Sequence, residues 1–353
     1  MVNQLYPLLF KPNLREVVWG GTRLRAWKGL APDDTPIGES WEVSSIPECE
    51  SIVSNGPLAG LHLNDLTDEM PDDILGHSVV EKYGTRLPLL AKFIDARKDL
   101  SIQVHPDEEM AQRCHGKHGK TEMWYIIDAE PGATVLAGFK KKITPLEYGL
   151  SVMDGTICDV LARHEVKAGD VFYIPAGRVH AICGGILLVE IQQSSDVTYR
   201  IFDYNRPGID GRPRELHTEL AAQAINYEVL DDYRTHYVDA KEKAVPIISC
   251  PYFSIRVLDI TRPFHRNMLK YDSFVICVCL SGSCTILPRT GLGQPTAECA
   301  TVTAGNSCLI PASLADYDLV PTSAETRMIE AYINNKDSSL TARASRFMHF
   351  SNK

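Results

Sequence analysis

The sequence lacks the features that mark a membrane, secreted or nucleic-acid-binding protein. Its longest apolar runs, at 185–191 and 274–280, are far shorter than the roughly 20 residues that a membrane-spanning helix requires. Residues 1–10 have neither the basic start nor the long apolar stretch of a secretory signal. The formal net charge of −9 argues against the basic surface that nucleic acids bind. These absences predict a soluble, cytoplasmic chain without a membrane or nucleic-acid partner.

Cysteine is present but follows no recognisable pattern. The ten cysteines are scattered without a CxxC pair, and Cys277, Cys279 and Cys308 lie in strand-like sequence. This distribution favours reduced thiols in a core over a disulfide framework or a thiolate zinc site. The rest of the composition is ordinary, with 44% hydrophobic and 23% charged residues. A chain of 353 residues is long enough for two domains with cores of their own.

Short β-rich runs bounded by Gly, Pro, Asn or Asp dominate the sequence, which is typical of an all-β sandwich or barrel. Helical signals are few outside two stretches. A Thr-Pro pair opens 144–162, and apolar residues recur at helical spacing in 213–227. The predicted fold is therefore mainly β with a small helical insertion. Strands are predicted at 172–174, 186–191, 254–258, 274–280, 308–310 and 328–333.

An internal repeat indicates two related barrels. The segment EMWYII at 122–127 matches DSFVIC at 272–277, and GDVFYIPA at 169–176 matches GNSCLIPA at 305–312. The offset falls from 150 to 136 between the two matches, so the first copy has 14 extra residues, which we assign to the helix at 144–162. The sequence thus predicts a first domain at 1–240 and a second at 241–353.

Four potential metal ligands lie in strand-like sequence of the first copy: Gln103, His105, Glu122 and His180. Gln103 and His105 are two residues apart, so both side chains leave the same face of an extended strand. Two imidazoles with oxygen ligands and no thiolate suit Zn²⁺, while Mn²⁺, Co²⁺ or Fe²⁺ stay chemically possible. This combination predicts one metal site spread over several strands.

Other residues bear on this metal prediction. The competing imidazoles His115 and His118 lie in a glycine-flanked loop, which favours a solvated loop over ligation. In the second copy, Asp272 aligns with Glu122 and Asp316 with His180, and nothing resembles the QVH of the first copy. The second barrel is therefore predicted to be structural or to close the site.

The motifs around these residues resemble those of a known family. The run from the glycine turn through IPAGRVH resembles the second conserved motif of cupin barrels. The wider set is similar to type I mannose-6-phosphate isomerases in their shorter bacterial form, and it comprises PIGESWEVS at 36–44, LSIQVHPDEE at 100–109, GKTEMWYII at 119–127, IPAGRVHAI at 174–182 and EIQQSSDVTYRIFDYNR at 190–206.

The resemblance implies a fold, an activity and a cofactor. The fold is two cupin-like jelly-roll barrels, the second without metal ligands. The activity is the interconversion of mannose 6-phosphate and fructose 6-phosphate through a cis-enediol, with a small-molecule sugar phosphate as the substrate. The cofactor is one zinc ion per chain, held by the four ligands named above.

The resemblance also implies which residues meet the substrate. Arg200 matches the family's active-site arginine and suits anion binding or enediolate stabilisation. Ser101 and Lys120 belong to the substrate pocket, towards the phosphate. Three groups could serve as the general base, namely a water molecule held by the metal, Glu190, and Lys120 with a lowered pKa, and spacing does not rank them. Glu190 is equally suited to support a metal-binding histidine.

Two other classes of function stay open on sequence grounds. One is another metal-dependent cupin enzyme, such as an oxygenase, and the other is a non-catalytic sugar-binding barrel. An iron oxygenase would more often present a further histidine or a facial triad where this chain has Gln103. A binding protein would not need a complete ligand set together with Arg200 and Lys120. Both considerations favour the isomerase.

Overall fold

The computed structural model describes residues 5–289 and 298–335. Contacts divide the chain into two compact units, each assembled from separate segments. The first unit comprises 1–11, 42–88 and 237–353, and the second comprises 12–41 and 89–236. Among the described residues, no helix is both long enough and apolar enough to cross a membrane. The domain limits drawn at 240/241 stay a prediction, and 290–297 and 336–353 lie outside the described residues.

Strands outnumber helices, as the mainly β prediction requires. The helices are α1 (Arg23–Trp27), α2 (Leu63–Glu69), α3 (Pro71–Leu75), α4 (His77–Tyr83), α5 (Glu108–His115), α6 (Pro145–Met153) and α7 (Thr218–Ala224), with 3-10 turns at Ile157–Asp159, Leu269–Tyr271 and Ala312–Leu314. The strands are β1 (Leu8–Lys11), β2 (Asn13–Gly21), β3 (Ile37–Val43), β4 (Ile52–Val53), β5 (Leu89–Ala96), β6 (Ile102–Val104), β7 (Glu122–Ala129), β8 (Thr134–Phe139), β9 (Leu161–Glu165), β10 (Val171–Ile174), β11 (His180–Ile182), β12 (Ile186–Gln193), β13 (Tyr199–Phe202), β14 (Ala244–Ser249), β15 (Ser254–Ile260), β16 (Phe264–Asn267), β17 (Val275–Ser281), β18 (Ser283–Pro288), β19 (Ala300–Thr303), β20 (Ser307–Ile310), β21 (Asp316–Pro321) and β22 (Thr326–Tyr332).

Strands β5 to β12 form the first repeat, in two antiparallel sheets. One sheet contains the order β10-β7-β12-β5, extended by β2 and β3, and the other contains β6-β11-β8-β9, extended by β13. This alternation of successive strands between two sheets is the jelly-roll arrangement. Apolar side chains from both sheets, including Ile94, Trp124, Val135 and Phe172, pack into one buried cluster. Burial of this shared apolar surface joins the two sheets.

Strands β15 to β22 repeat this arrangement in the first unit. One sheet contains β20-β17-β22-β15 and the other contains β16-β21-β18-β19, which is the same order with each strand replaced by its counterpart. The buried thiols Cys277, Cys279, Cys284 and Cys308 belong to the core of this repeat. The predicted internal repeat and the mainly β jelly-roll class are therefore confirmed.

Strand register corrects the residue equivalences that the offsets between the matching segments predicted. His180 pairs with Gln103 in the first repeat, and Tyr317 pairs with Arg266 at the matching place in the second. Tyr317 rather than Asp316 is therefore the counterpart of His180. Glu122 pairs with Ile174, and Val275 pairs with Ile310 at the matching place in the second repeat. By the same reasoning, Val275 is the counterpart of Glu122.

The error has a simple origin. Aligning Gly132 with Gly282 matched the turns that follow the two strands, and both glycines have positive φ. The first repeat reaches its turn by three more residues, so the paired strands are offset by 153 rather than 150. Asp272, aligned earlier with Glu122, precedes its strand and has a left-handed backbone with φ 47°.

Both predicted helices exist but are shorter than predicted. The N-cap at Thr144 is confirmed, since its side chain accepts from the Glu147 N–H and Glu147 accepts from the Thr144 N–H in return. The helix ends at Met153 before Gly155, whose φ is 70°, and the end of the predicted segment joins strand β9. The helix predicted at 213–227 is reduced to α7.

The two predicted stretches do not account for all of the helix. Among the described residues, five further short helices occur, three of them in succession between Leu63 and Tyr83. These helices have five to eight residues each, so none displays enough turns for a clear helical period.

Candidate active site

Three ligand side chains converge inside the first repeat. His105, Glu122 and His180 offer one ligand atom each within 4.8 Å of one another, and all three are buried. Nε2 of His105 lies 3.3 Å from one carboxylate oxygen of Glu122, and Nε2 of His180 lies 3.4 Å from the other. In the part of the chain that the structure describes, no other group of His, Cys, Asp or Glu side chains meets this criterion.

The backbone fixes the orientation of both imidazoles. Nδ1 of His105 lies 3.1 Å from the Val197 carbonyl oxygen, and Nδ1 of His180 lies 2.8 Å from that of Arg178. When each Nδ1–H donates to its carbonyl, each Nε2 carries the lone pair and faces Glu122. Both rings then present the neutral Nε2 that a metal ion requires of a histidine ligand.

Gln103 lies beside this triad. Its amide nitrogen is 3.3 Å from Nε2 of His180, and its amide oxygen accepts from the Ser101 hydroxyl at 3.3 Å. Strand β6 places Gln103 directly opposite His180 in the adjacent strand. The structure thus brings together all four residues that the sequence offered as ligands, together with Ser101.

The environment of Glu122 suits a cation. Burial opposes ionisation, but Lys120 and the two histidines outweigh it and hold the pKa of Glu122 well below its usual range. Lys120 Nζ lies 3.0 Å away, yet neither buried carboxylate oxygen accepts a well-aligned hydrogen bond. Because buried carboxylates are costly without partners, two orphaned oxygens facing two imidazoles fit a divalent ion.

Lys120 is enclosed within the ligand cluster. Its Nζ is 3.1 Å from Nε2 of His105 as well as 3.0 Å from Glu122, and the residue is 5% exposed. Lys120 lies two residues before Glu122, the first residue of β7, in the segment that leads into this strand. The Lys120 ammonium group therefore lies next to two of the candidate metal ligands, His105 and Glu122.

A second buried carboxylate, Glu190, faces the same cleft from β12. It accepts from Trp124 Nε1 at 2.8 Å and lies 2.8 Å from Lys92 Nζ. Burial and the nearby Glu122 raise the pKa of Glu190 above its usual range in spite of Lys92. Lys92, itself 7% exposed, also lies 4.0 Å from Glu39. Glu190 is therefore a buried carboxyl group with a raised pKa and a lysine as its charged partner.

These groups line one cleft with a volume of about 280 Å³. The cleft includes Ser101, Gln103, Lys120, His180, Glu190 and Arg200. Arg200 donates to the Glu215 carbonyl at 2.8 Å, while its buried Nε has no hydrogen-bond partner among the described residues. His115, which ends helix α5 rather than lying in the predicted loop, contacts Tyr199, and His118 contacts Glu108. Every residue predicted from the sequence for the substrate pocket therefore reaches this cleft.

Several lining residues were missed by the sequence reasoning. Glu39 and Trp41 lie within the quoted segment PIGESWEVS, so the motif contained a signal that went unused. Lys92, Arg214 and His217 come from segments with no recognised motif. Lys92 lies in the otherwise largely apolar strand β5. Because a buried lysine needs a charged or polar partner, this position could have indicated a functional role for Lys92.

The fold and site together define a jelly-roll protein with a buried candidate metal centre in a cleft. The model of the family described as phosphomannose isomerase type I, catalytic domain, matches residues 8–140. The mannose-6-phosphate isomerase ManA of Bacillus subtilis is 38% identical over 252 residues, covering 70% of this chain and 78% of that protein. The mannose-6-phosphate isomerase of Streptococcus mutans is 35% identical over 70% of this chain and 77% of that protein.

A solved structure gives the same result. The crystal structure of the mannose 6-phosphate isomerase from Bacillus subtilis matches with a TM-score of 0.81 and 32% identity, over 93% of this chain and 99% of that one. The chain therefore belongs to the type I phosphomannose isomerase family.

Proposed function

We propose that this protein is a zinc-dependent aldose–ketose isomerase that interconverts mannose 6-phosphate and fructose 6-phosphate through a cis-enediol, in the cytoplasm. The observation that carries the proposal is the convergence of His105, Glu122 and His180 at the wall of a cleft that His180, Lys120 and Arg200 line. Relatives that share more than a third of their residues with this chain over most of their length bear the name of this activity.

The metal would be held by Gln103, His105, Glu122 and His180. Rotating the Gln103 amide by half a turn exchanges its oxygen and nitrogen, and the oxygen would then face Nε2 of His180. Zinc in such a site acts as a Lewis acid on hydroxyl and carbonyl oxygens and orients the sugar. Neutral imidazoles and an ionised carboxylate are the forms that bind it.

The reaction needs a proton to move between C1 and C2 while negative charge develops on the substrate oxygens. We assign the proton transfers to Lys120 and Glu190, because both are buried in the cleft and each has a charged partner that can compensate a change of protonation. The free Nε of Arg200 suits stabilisation of the enediolate. Ser101, hydrogen-bonded to Gln103, would orient a sugar hydroxyl.

A coupled assay tests the proposal. Fructose 6-phosphate formed from mannose 6-phosphate is converted by phosphoglucose isomerase and glucose-6-phosphate dehydrogenase, and NADPH is recorded. We expect turnover that a chelator abolishes and that zinc restores. Turnover insensitive to prolonged chelation would contradict the metal dependence, and absence of turnover by metal-loaded protein would contradict the activity.

A further inference from the structure

The cleft has a cluster of positive charge beside the candidate metal centre. Arg200 and Arg214 both line it, and burial together with the nearby charge of Arg214 lowers the pKa of Arg200. Arg206 adds a third guanidinium, and Asp203 is the acidic side chain to which Arg206 and Arg214 both donate. Asp203 and the exposed Glu215 are the two acidic side chains that act on Arg200, so three arginines near two carboxylates leave an excess of positive charge, in a chain whose net charge is −9. Such an excess is costly unless an anion joins it.

Arg214 is fixed in place by Asp203. Its Nε donates to one carboxylate oxygen at 2.7 Å and one terminal nitrogen donates to the other at 2.6 Å, a two-point pairing that sets the plane of the guanidinium. The side chain is 25% exposed, so its remaining donors are not enclosed by protein. Asp203 itself is 5% exposed and lies just beyond strand β13, which positions Arg200.

Arg206 provides an internal comparison. Two of its nitrogens donate, at 2.9 and 3.1 Å, to the Asp203 oxygen that also accepts from the terminal nitrogen of Arg214. Its guanidinium stacks over the Tyr204 ring, and it does not line the cleft. Asp203 therefore anchors two arginines, of which only Arg214 faces the space where a substrate would lie.

We propose that Arg214 is a specificity-determining residue that binds the phosphate group of the substrate, with Asp203 as its positioning residue. The inference rests on the proposed function for the identity of the phosphate ester. Lys120 is fully engaged at the ligand set, so it is poorly placed to extend to a phosphate as well. Arg214 contributes a planar pair of donors that matches phosphate oxygens, and this favours a phosphorylated sugar over the neutral one.

The test compares Arg214→Met with Arg206→Met, and includes Arg214→Lys. Binding of inorganic phosphate to the metal-loaded protein is measured by calorimetry, together with kcat and KM for mannose 6-phosphate and for mannose. We expect Arg214→Met to weaken phosphate binding and to raise KM for mannose 6-phosphate by about tenfold or more, as for a lost charge-assisted hydrogen bond. Arg214→Lys should recover part of the loss, and Arg206→Met should resemble the wild type.

The use of mannose distinguishes this role from a structural one. Arg214→Met should leave kcat/KM for the neutral sugar within about twofold of the wild type, because that sugar makes no phosphate contact. The assignment would be overturned if Arg214→Met lowered kcat/KM equally for both sugars, or if Arg206→Met lowered it as much for mannose 6-phosphate. It would also be overturned if the wild-type protein failed to bind millimolar phosphate. The phosphate titration does not depend on turnover, so it tests Arg214 even if the proposed isomerase activity is absent.

Discussion

Glu330 occupies in the second repeat the sheet position that Glu190 occupies in the first. Glu190 pairs across strands with Lys92 and Trp124, and Glu330 pairs with Arg256 and Cys277 at the same register. Around Glu330, however, different residues occupy the positions that the candidate metal ligands hold in the first repeat. The counterparts of Gln103, His105, Glu122 and His180 are Arg266, Met268, Val275 and Tyr317.

A guanidinium thus replaces a candidate metal centre. Arg266 donates to both oxygens of Glu330, at 2.9 Å from Nε to the first, and the Tyr317 hydroxyl donates to the same oxygen at 2.7 Å. Both charged side chains are buried. The Arg266 guanidinium therefore supplies the positive charge that the buried Glu330 carboxylate needs, and no metal ion is required at this position.

This network leads to a prediction about stability. Arg266→Met leaves Glu330 buried without its cation, and we expect a loss of about 3–5 kcal/mol in the free energy of unfolding. Adding Glu330→Gln should recover a large part, because the neutral amide no longer needs a cation and can still accept from Tyr317. Urea unfolding measures both variants. An Arg266→Met protein as stable as the wild type would contradict the prediction, and the metal content of both variants should be unchanged.

Removal of either histidine should abolish metal binding. We expect His105→Ala and His180→Ala to lose metal and activity while the fold persists, because the ligands belong to one cleft within a large apolar core. His118→Ala is the matched control, since His118 is exposed and bonded to Glu108. Elemental analysis and circular dichroism of the three variants decide the matter. Full metal occupancy in His105→Ala or His180→Ala would rule out the ligand assignment.

Substitution of Lys120 should affect phosphorylated and neutral sugars alike. Its ammonium lies between His105 and Glu122, so its loss should reduce kcat on mannose and on mannose 6-phosphate by similar factors, roughly 10²-fold or more. Steady-state kinetics on both substrates measure the ratio. A selective rise in KM for mannose 6-phosphate would instead assign Lys120 to the phosphate, as the family resemblance first implied.

Arg200 should act on the transition state. If its free Nε meets charge that develops during the reaction, Arg200→Ala should lower kcat by about 10²-fold or more with a smaller change in KM. Arg200→Lys keeps the charge but not the planar donors, and we expect it to recover little. An unchanged kcat in Arg200→Ala would remove this residue from the mechanism.

Glu190 gives the last prediction. Glu190→Gln keeps the shape and can still accept from Trp124 but cannot take a proton, so kcat should fall by roughly 10²- to 10⁴-fold. Trp124→Phe removes the donor to Glu190 and part of a buried ring but no proton carrier, so it should lower kcat far less. Comparable losses in both variants would indicate that Glu190 supports the architecture rather than carrying a proton.

Much of the site was predictable because local spacing fixed it. Lys120 is only two residues from Glu122, which keeps the two side chains close, and the ligand candidates were recognisable as a set of chemically suited side chains. The repeat was visible because each copy keeps the same order of strands, turns and a proline. The short helices were not predictable, since five to eight residues display too little of the helical period.

The sequence by itself determined the mainly β class, the repeated jelly roll and the identity of the candidate ligands, because these depend on period, punctuation and side-chain chemistry. Only the tertiary structure decided which distant residues meet. Strand register, set by hydrogen bonding between segments far apart in the chain, brought Lys92 to Glu190, made Tyr317 the counterpart of His180 and separated the role of Arg214 from that of Arg206. A shift of register reverses faces and partners without changing the local sequence, and so these relationships could not be found by inspecting the chain alone.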